Sequence, residues 1–133
     1  MTAIYHSRER ANEAVDKIKI YARPQRLMIL SCLLDRERTV AEINDATGVG
    51  QPALSQQLAE LRRAELVETR RVAKQVYYRL ANNDVSVCVR SIEAIFARDG
   101  DVVKALSGVV AEQPKPAQKA RGGVGAAAFA KVI

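Results

Sequence analysis

The stretch Gln51-Pro52-Ala53-Leu54-Ser55-Gln56-Gln57-Leu58-Ala59-Glu60-Leu61 decides how the chain folds. At about 100° per residue, Leu54, Leu58 and Leu61 fall on one side of a helix, while Pro52, Ser55, Gln56, Ala59 and Arg63 fall on the other. Pro52 suits the first helical position, where its missing N–H would have no partner anyway, and the helix is expected to run to about Ala64. Upstream, Thr39 followed by Glu42 has the form of a capping box. Val40, Ile43 and Ala46 then supply an apolar stripe that stops at Gly48. Two short helices, 40–47 and 52–64, joined by a turn with two glycines, predict a helix-turn-helix.

Downstream lie Leu66-Val67-Glu68-Thr69-Arg70-Arg71 and Gln75-Val76-Tyr77-Tyr78-Arg79-Leu80. In the second run Val76, Tyr78 and Leu80 alternate with Gln75, Tyr77 and Arg79, and a period of two means strands. The pair is read as a hairpin closed by Val72-Ala73-Lys74. Further out, Leu27 to Leu34 is apolar on nearly all sides, as in a core helix touched by several neighbours, and it is expected to run from Pro24 to Asp35. Ala11, Ala14, Val15, Ile18 and Tyr21 define an earlier helix, ended by Ala22-Arg23-Pro24. Val85, Cys88, Val89, Ile92, Ile95 and Phe96 define a last one, from about Asp84 to Ala97, with Asn82 and Asn83 as caps. The expected organisation is a flexible N-terminus over 1–10, one domain over 11–97, a short further helix over 98–111, and a flexible basic tail over 112–133.

The 133 residues hold 21 Lys and Arg against 15 Asp and Glu, with one His and two Cys. The excess is concentrated: six basic against three acidic side chains over 50–80, and four against one over 112–133. Such clustering suits a polyanionic partner. No apolar run is long enough for a membrane span. The N-terminus lacks the apolar core of a secretory signal, so a cytoplasmic place is expected. Cys32 and Cys88, far apart in apolar helical patterns, fit a reducing compartment. Catalysis needs a cluster of titratable or nucleophilic groups, and none is visible: His6 stands alone near the N-terminus, and no phosphate-binding loop or C-x-x-C motif occurs. No cofactor is expected, and no metal either, since two separated cysteines supply too few ligands.

The outer face of the second short helix carries the chemistry that is present. Small side chains let a helix settle in the major groove, Gln56 can pair with adenine edges, Ser55 can bond base or phosphate, and Arg63 can reach a phosphate. The following hairpin brings Arg70, Arg71, Lys74, Gln75 and Arg79, a basic set suited to a phosphate backbone or minor groove. A reading helix followed by a basic hairpin is a winged helix. The fold class is thus mainly α with a β-hairpin wing (α+β), and the expected partner is double-stranded DNA. The apolar faces of the first and last helices, with Val15, Ile18, Val85, Cys88, Val89, Ile92 and Phe96, predict a homodimer.

Three segments resemble the ArsR/SmtB family of bacterial winged-helix repressors: Arg23-Pro24-Gln25-Arg26-Leu27-Met28-Ile29-Leu30, Gln51 to Leu58, and Leu66 to Arg71 with Val76-Tyr77-Tyr78-Arg79-Leu80. The likeness is greatest to the NolR-type members, which lack metal-ligand motifs. It implies a homodimer through helices 1 and 5, with each recognition helix in a major groove. It also implies base or groove contacts from Gln51, Pro52, Ser55 and Gln56, and wing contacts from Arg70, Arg71, Lys74 and Gln75. Two departures stand out: Gln57 occupies a place where many members have histidine, and the wing loop has no glycine. The expected function is a sequence-specific repressor that binds an inverted repeat. Two other classes stay open at this stage: a thiol-responsive repressor using Cys88, and an architectural protein that coats DNA without sequence preference. The sequence does not identify a small-molecule effector.

Overall fold

The computed structural model describes residues 3–97. After one 3-10 turn over Ile4–His6 the chain enters α1, Arg8–Tyr21. This helix starts three residues before the expected Ala11, because Ser7 caps it by accepting the Arg10 N–H at 3.2 Å. Residues 8–10, expected in a flexible N-terminus, are therefore helical. The expected helix over 98–111 and tail over 112–133 lie outside the described residues.

The second helix, α2, spans Pro24–Cys32 with Pro24 in its first turn. It stops short of the expected Asp35 because the Leu33 and Leu34 N–H groups turn back to Leu30 and Ser31, both at 3.1 Å. The Arg38 guanidinium then takes the Cys32 carbonyl at 2.7 Å. Residues Arg38–Thr39 form a strand, β1, that was not expected. Thr39 next caps α3, Val40–Thr47, through a complete capping box: Glu42 N–H to Thr39 at 3.2 Å, and Thr39 N–H to the Glu42 carboxylate at 2.8 Å. Gly48 ends α3 at φ 70°, a left-handed conformation that favours glycine.

The second helix of the expected pair, α4, spans Ala53–Arg63. Strands β2, Val67–Val72, and β3, Gln75–Leu80, form the hairpin, in register from Val67 opposite Leu80 to Val72 opposite Gln75. β1 adds to the far side of β3, with Arg38 opposite Tyr78 and Thr39 opposite Tyr77, giving a three-stranded antiparallel sheet in the order β1-β3-β2. The last helix, α5, spans Asn83–Ile95 and is capped by Asn82, whose side chain accepts the Val85 N–H at 3.1 Å.

The core gathers Ile29, Leu30, Leu33 and Leu34 of α2, Ile43 of α3, and Leu54, Leu58 and Leu61 of α4. Val67, Leu80, Val85 and Val89 complete it. Helix α2 packs against α1, α3, α4 and α5, as its all-round apolar surface requires. Val85 and Val89 were expected on a dimer face, yet they are buried in the chain's own core, whereas Val15, Ile18, Ile95 and Phe96 are exposed.

Candidate nucleic-acid interface

Helix α4 divides as its sequence divides. Leu54, Leu58 and Leu61 are buried, and Gln51, Pro52, Ser55, Gln56, Ala59 and Arg63 are exposed. The Gln51 side-chain oxygen accepts both the Ser55 N–H at 3.1 Å and the Ser55 hydroxyl at 2.7 Å. Gln51 thus satisfies an otherwise unpaired donor at the start of the helix, and Gln51 and Ser55 present themselves as one unit. Arg63 pairs with Glu60 at 2.7 Å, with both side chains largely in water. Such a surface pair contributes about 0–1 kcal/mol, so Arg63 can exchange Glu60 for a phosphate at little cost.

Gln57 points the other way. It is half-buried and accepts a hydrogen bond from Arg26 Nε at 2.7 Å, while Arg26 Nη1 reaches the Ile20 carbonyl at 3.2 Å. The recognition helix is thereby tied to α2 and to the end of α1. Between the outer face of α4 and β3 runs an open groove of about 480 Å³, bordered by Val40, Ser55, Ala59, Arg63 and Tyr78.

In the wing, Arg71, Lys74 and Gln75 are exposed at and beside the tip. Ala73 turns the hairpin at φ 56°, the conformation for which glycine is usual. Arg70 and Arg79, expected among the wing's DNA contacts, are instead half-buried and turned onto acids. Arg70 makes a two-pronged pair with Glu37, at 2.9 and 2.7 Å. Arg79 pairs with Glu68 at 2.7 Å and approaches Glu37 at 3.9 Å. The hydrogen bonds that Arg70 donates to Glu37 hold its guanidinium even more firmly protonated than usual, against the opposing effect of burial. Glu37 escaped notice in the sequence: it stands in the charged run Asp35-Arg36-Glu37-Arg38, and its partner lies 33 residues away.

The two cysteines are free thiols, each half-buried. Cys32 donates to the Ile29 carbonyl at 3.1 Å. Burial pushes its thiol up to about 11, with Arg38 pulling the other way and Asp35 adding to the rise. In a Cys88→Ser protein at pH 8, only about one Cys32 thiol in a thousand is then thiolate. Iodoacetamide labelling followed by mass spectrometry is expected to be slow at that pH and to rise about tenfold per pH unit towards pH 11. Labelling as fast as a free small thiol at pH 8 would contradict the shielding. Cys88 lies beside Tyr21, whose phenol is pushed above its ordinary range by burial first and by Cys88 and Asp84 next. Among the described residues no three His, Cys, Asp or Glu groups converge to hold a metal. None of the described helices is long and apolar enough to cross a membrane.

Residues 23–69, from the start of α2 into β2, match the family model described as bacterial regulatory protein, arsR family. Over 88 residues the chain is 42% identical to the biofilm growth-associated repressor of Xylella fastidiosa, covering 66% of this chain and 77% of that protein. Over 96 residues it is 35% identical to the nodulation protein NolR of Rhizobium meliloti, covering 72% and 79%. The structure superposes on a homodimeric winged helix-turn-helix DNA-binding domain from Mycobacterium bovis with a TM-score of 0.57. There the identity is 32%, over 67% of this chain and 86% of that one. The fold is therefore a winged helix-turn-helix, and the chain belongs to the arsR family of bacterial regulatory proteins.

Proposed function

We propose that the protein is a cytoplasmic, homodimeric repressor that binds an inverted-repeat operator, with α4 of each subunit in a major groove and each wing tip on the flanking backbone. The observation that carries this is the outer face of α4: small and amide side chains, all exposed, beside a wing whose tip presents Arg71, Lys74 and Gln75. Gln56 is the base-reading candidate, because its amide is exposed at the middle of that face. Gln51 and Ser55 flank it as a bonded pair, and Arg63 adds a phosphate contact from the end of the helix. Val15 and Ile18 of α1, with Ile95 and Phe96 at the end of α5, offer an exposed apolar surface that suits a second copy. Two recognition helices related by a two-fold axis call for half-sites about one helical turn apart.

Fluorescence anisotropy across a salt series, on the protein's own upstream DNA and on a shuffled duplex, tests this reading. A large preference for the native fragment supports a site-specific repressor. Equal, strongly salt-dependent binding to both would instead identify an architectural protein, and no binding to either would overturn the nucleic-acid reading. Gln56→Ala is expected to cost about 1–3 kcal/mol on the cognate duplex and far less on the shuffled one. Equal losses on both would remove Gln56 from base reading.

A further inference from the structure

Glu37 is the one charged side chain among the described residues that the fold withdraws from water, at 3% exposed. A buried carboxylate is tolerated only when its oxygens are filled. Arg70 fills both of them from β2, in the fork geometry that suits guanidinium and carboxylate, and Arg79 adds a second positive charge from β3. Arg70 also lies over the ring of Tyr77, 5.7 Å from its centre, and Tyr77 is buried directly opposite it in the ladder.

The position of this cluster matters more than its strength. Thr39, Tyr77 and Arg70 stand side by side across β1, β3 and β2. β1 ends at Thr39, so that row is the last in which the sheet has three strands. Beyond it Arg71 opposite Val76 and Val72 opposite Gln75 form a two-stranded ribbon. A two-stranded ribbon is marginal by itself, so its aim is set at its base. Thr39 is also the cap of α3, which places Glu37 two residues from the start of the helix-turn-helix and in contact with the base of the wing.

The geometry points to Glu37 as the positioning residue of the wing: its carboxylate locks Arg70 and Arg79 against the root of the helix-turn-helix and so sets where Arg71, Lys74 and Gln75 meet the duplex. Arg70 serves recognition through Glu37 and does not neutralise a phosphate. This inference rests on the DNA-binding reading above.

The test uses the full chain, the cognate duplex and a salt series, with folding of each variant checked by circular dichroism. Arg71→Ala is expected to lower the slope of log affinity against log salt by about one. Arg70→Ala is expected to weaken binding about tenfold with the slope unchanged, in line with coupling inside one salt-bridge network. Glu37→Gln is expected to weaken binding to a similar degree, and the loss from Arg71→Ala should shrink in its background because the tip is already misplaced. Glu37→Asp keeps the charge but shortens the reach. It should fall between the two, and it carries the test if the Gln variant is unfolded.

A drop of about one in the slope for Arg70→Ala would overturn the proposal, as would losses for Glu37 and Arg71 that simply add. If both Glu37 variants fail to fold, the contrast in slope between Arg70→Ala and Arg71→Ala decides. Failure of the unaltered protein to bind either duplex would bring down the DNA reading and this role together, whereas additive losses in a protein that binds would bring down the role alone.

Discussion

Replacing Phe96 with aspartate is expected to leave a folded monomer and to lower the apparent affinity for a two-half-site duplex by roughly 10²–10⁴-fold. Phe96 is 77% exposed at the end of α5, and Ile18 on α1 is 61% exposed. An aromatic ring left in water represents about 150–250 Å² of surface that association can bury. α1 and α5 border one cavity of about 480 Å³, through Ala14, Lys17 and Ile18 on one side and Val85 and Cys88 on the other, which sets Ile18 near the start of α5, while Phe96 stands at its far end beside Leu27 and Met28 of α2. A carboxylate placed in such a surface would have to lose its water on dimerisation, and the two-fold axis would double the penalty. The size of the loss comes from linkage: in a dimer the second recognition helix is delivered at a high effective concentration once the first has bound. Light scattering on the purified variant and anisotropy on one-site and two-site duplexes would check both parts. An unchanged dimer, or an equal loss on the one-site duplex, would contradict the interface.

Leu58→Ala is expected to cost roughly 2–5 kcal/mol of stability, a large share of the about 5–15 kcal/mol that a domain of this kind possesses. Leu58 is 2% exposed and stands between Leu54 and Leu61 on the inner side of α4. Truncation removes the leucine's burial and leaves a cavity beneath the helix that carries Gln56. A thermal melt at fixed protein concentration should show the midpoint falling by about 10 °C or more. The contrast with Gln56→Ala is informative, because that substitution lies two residues away, about half a turn round on the outer face, and should leave the melt unchanged. A melt for Leu58→Ala within a degree or two of the unaltered protein would mean that α4 is not seated as described.

Much of this architecture was legible because it is local. Thr39 and Glu42 announce their helix within four residues, Pro24 marks a boundary by its own stereochemistry, and the alternation over Gln75–Leu80 needs no distant partner. The division of α4 into Leu54, Leu58 and Leu61 against Ser55 and Gln56 follows from helical geometry alone. The features that were not legible depend on partners far away in the chain. β1 has two residues, too few to show a period, and exists only because β3 arrives beside it. Glu37 looks like one more surface charge until Arg70 folds over it. The stripe of α5 shows that Val85, Val89 and Phe96 avoid water but not what covers them. The two valines meet their own core, and the phenylalanine is left outside.

Ala73 gives the wing a property of its own. An L-residue with a side chain is disfavoured at φ near 56° by about 1–2 kcal/mol, so the paired strands hold Ala73 there against its own preference. A glycine there would carry no such penalty. The tip of the wing is therefore a strained point, and a rearrangement of its backbone would relieve a cost rather than add one.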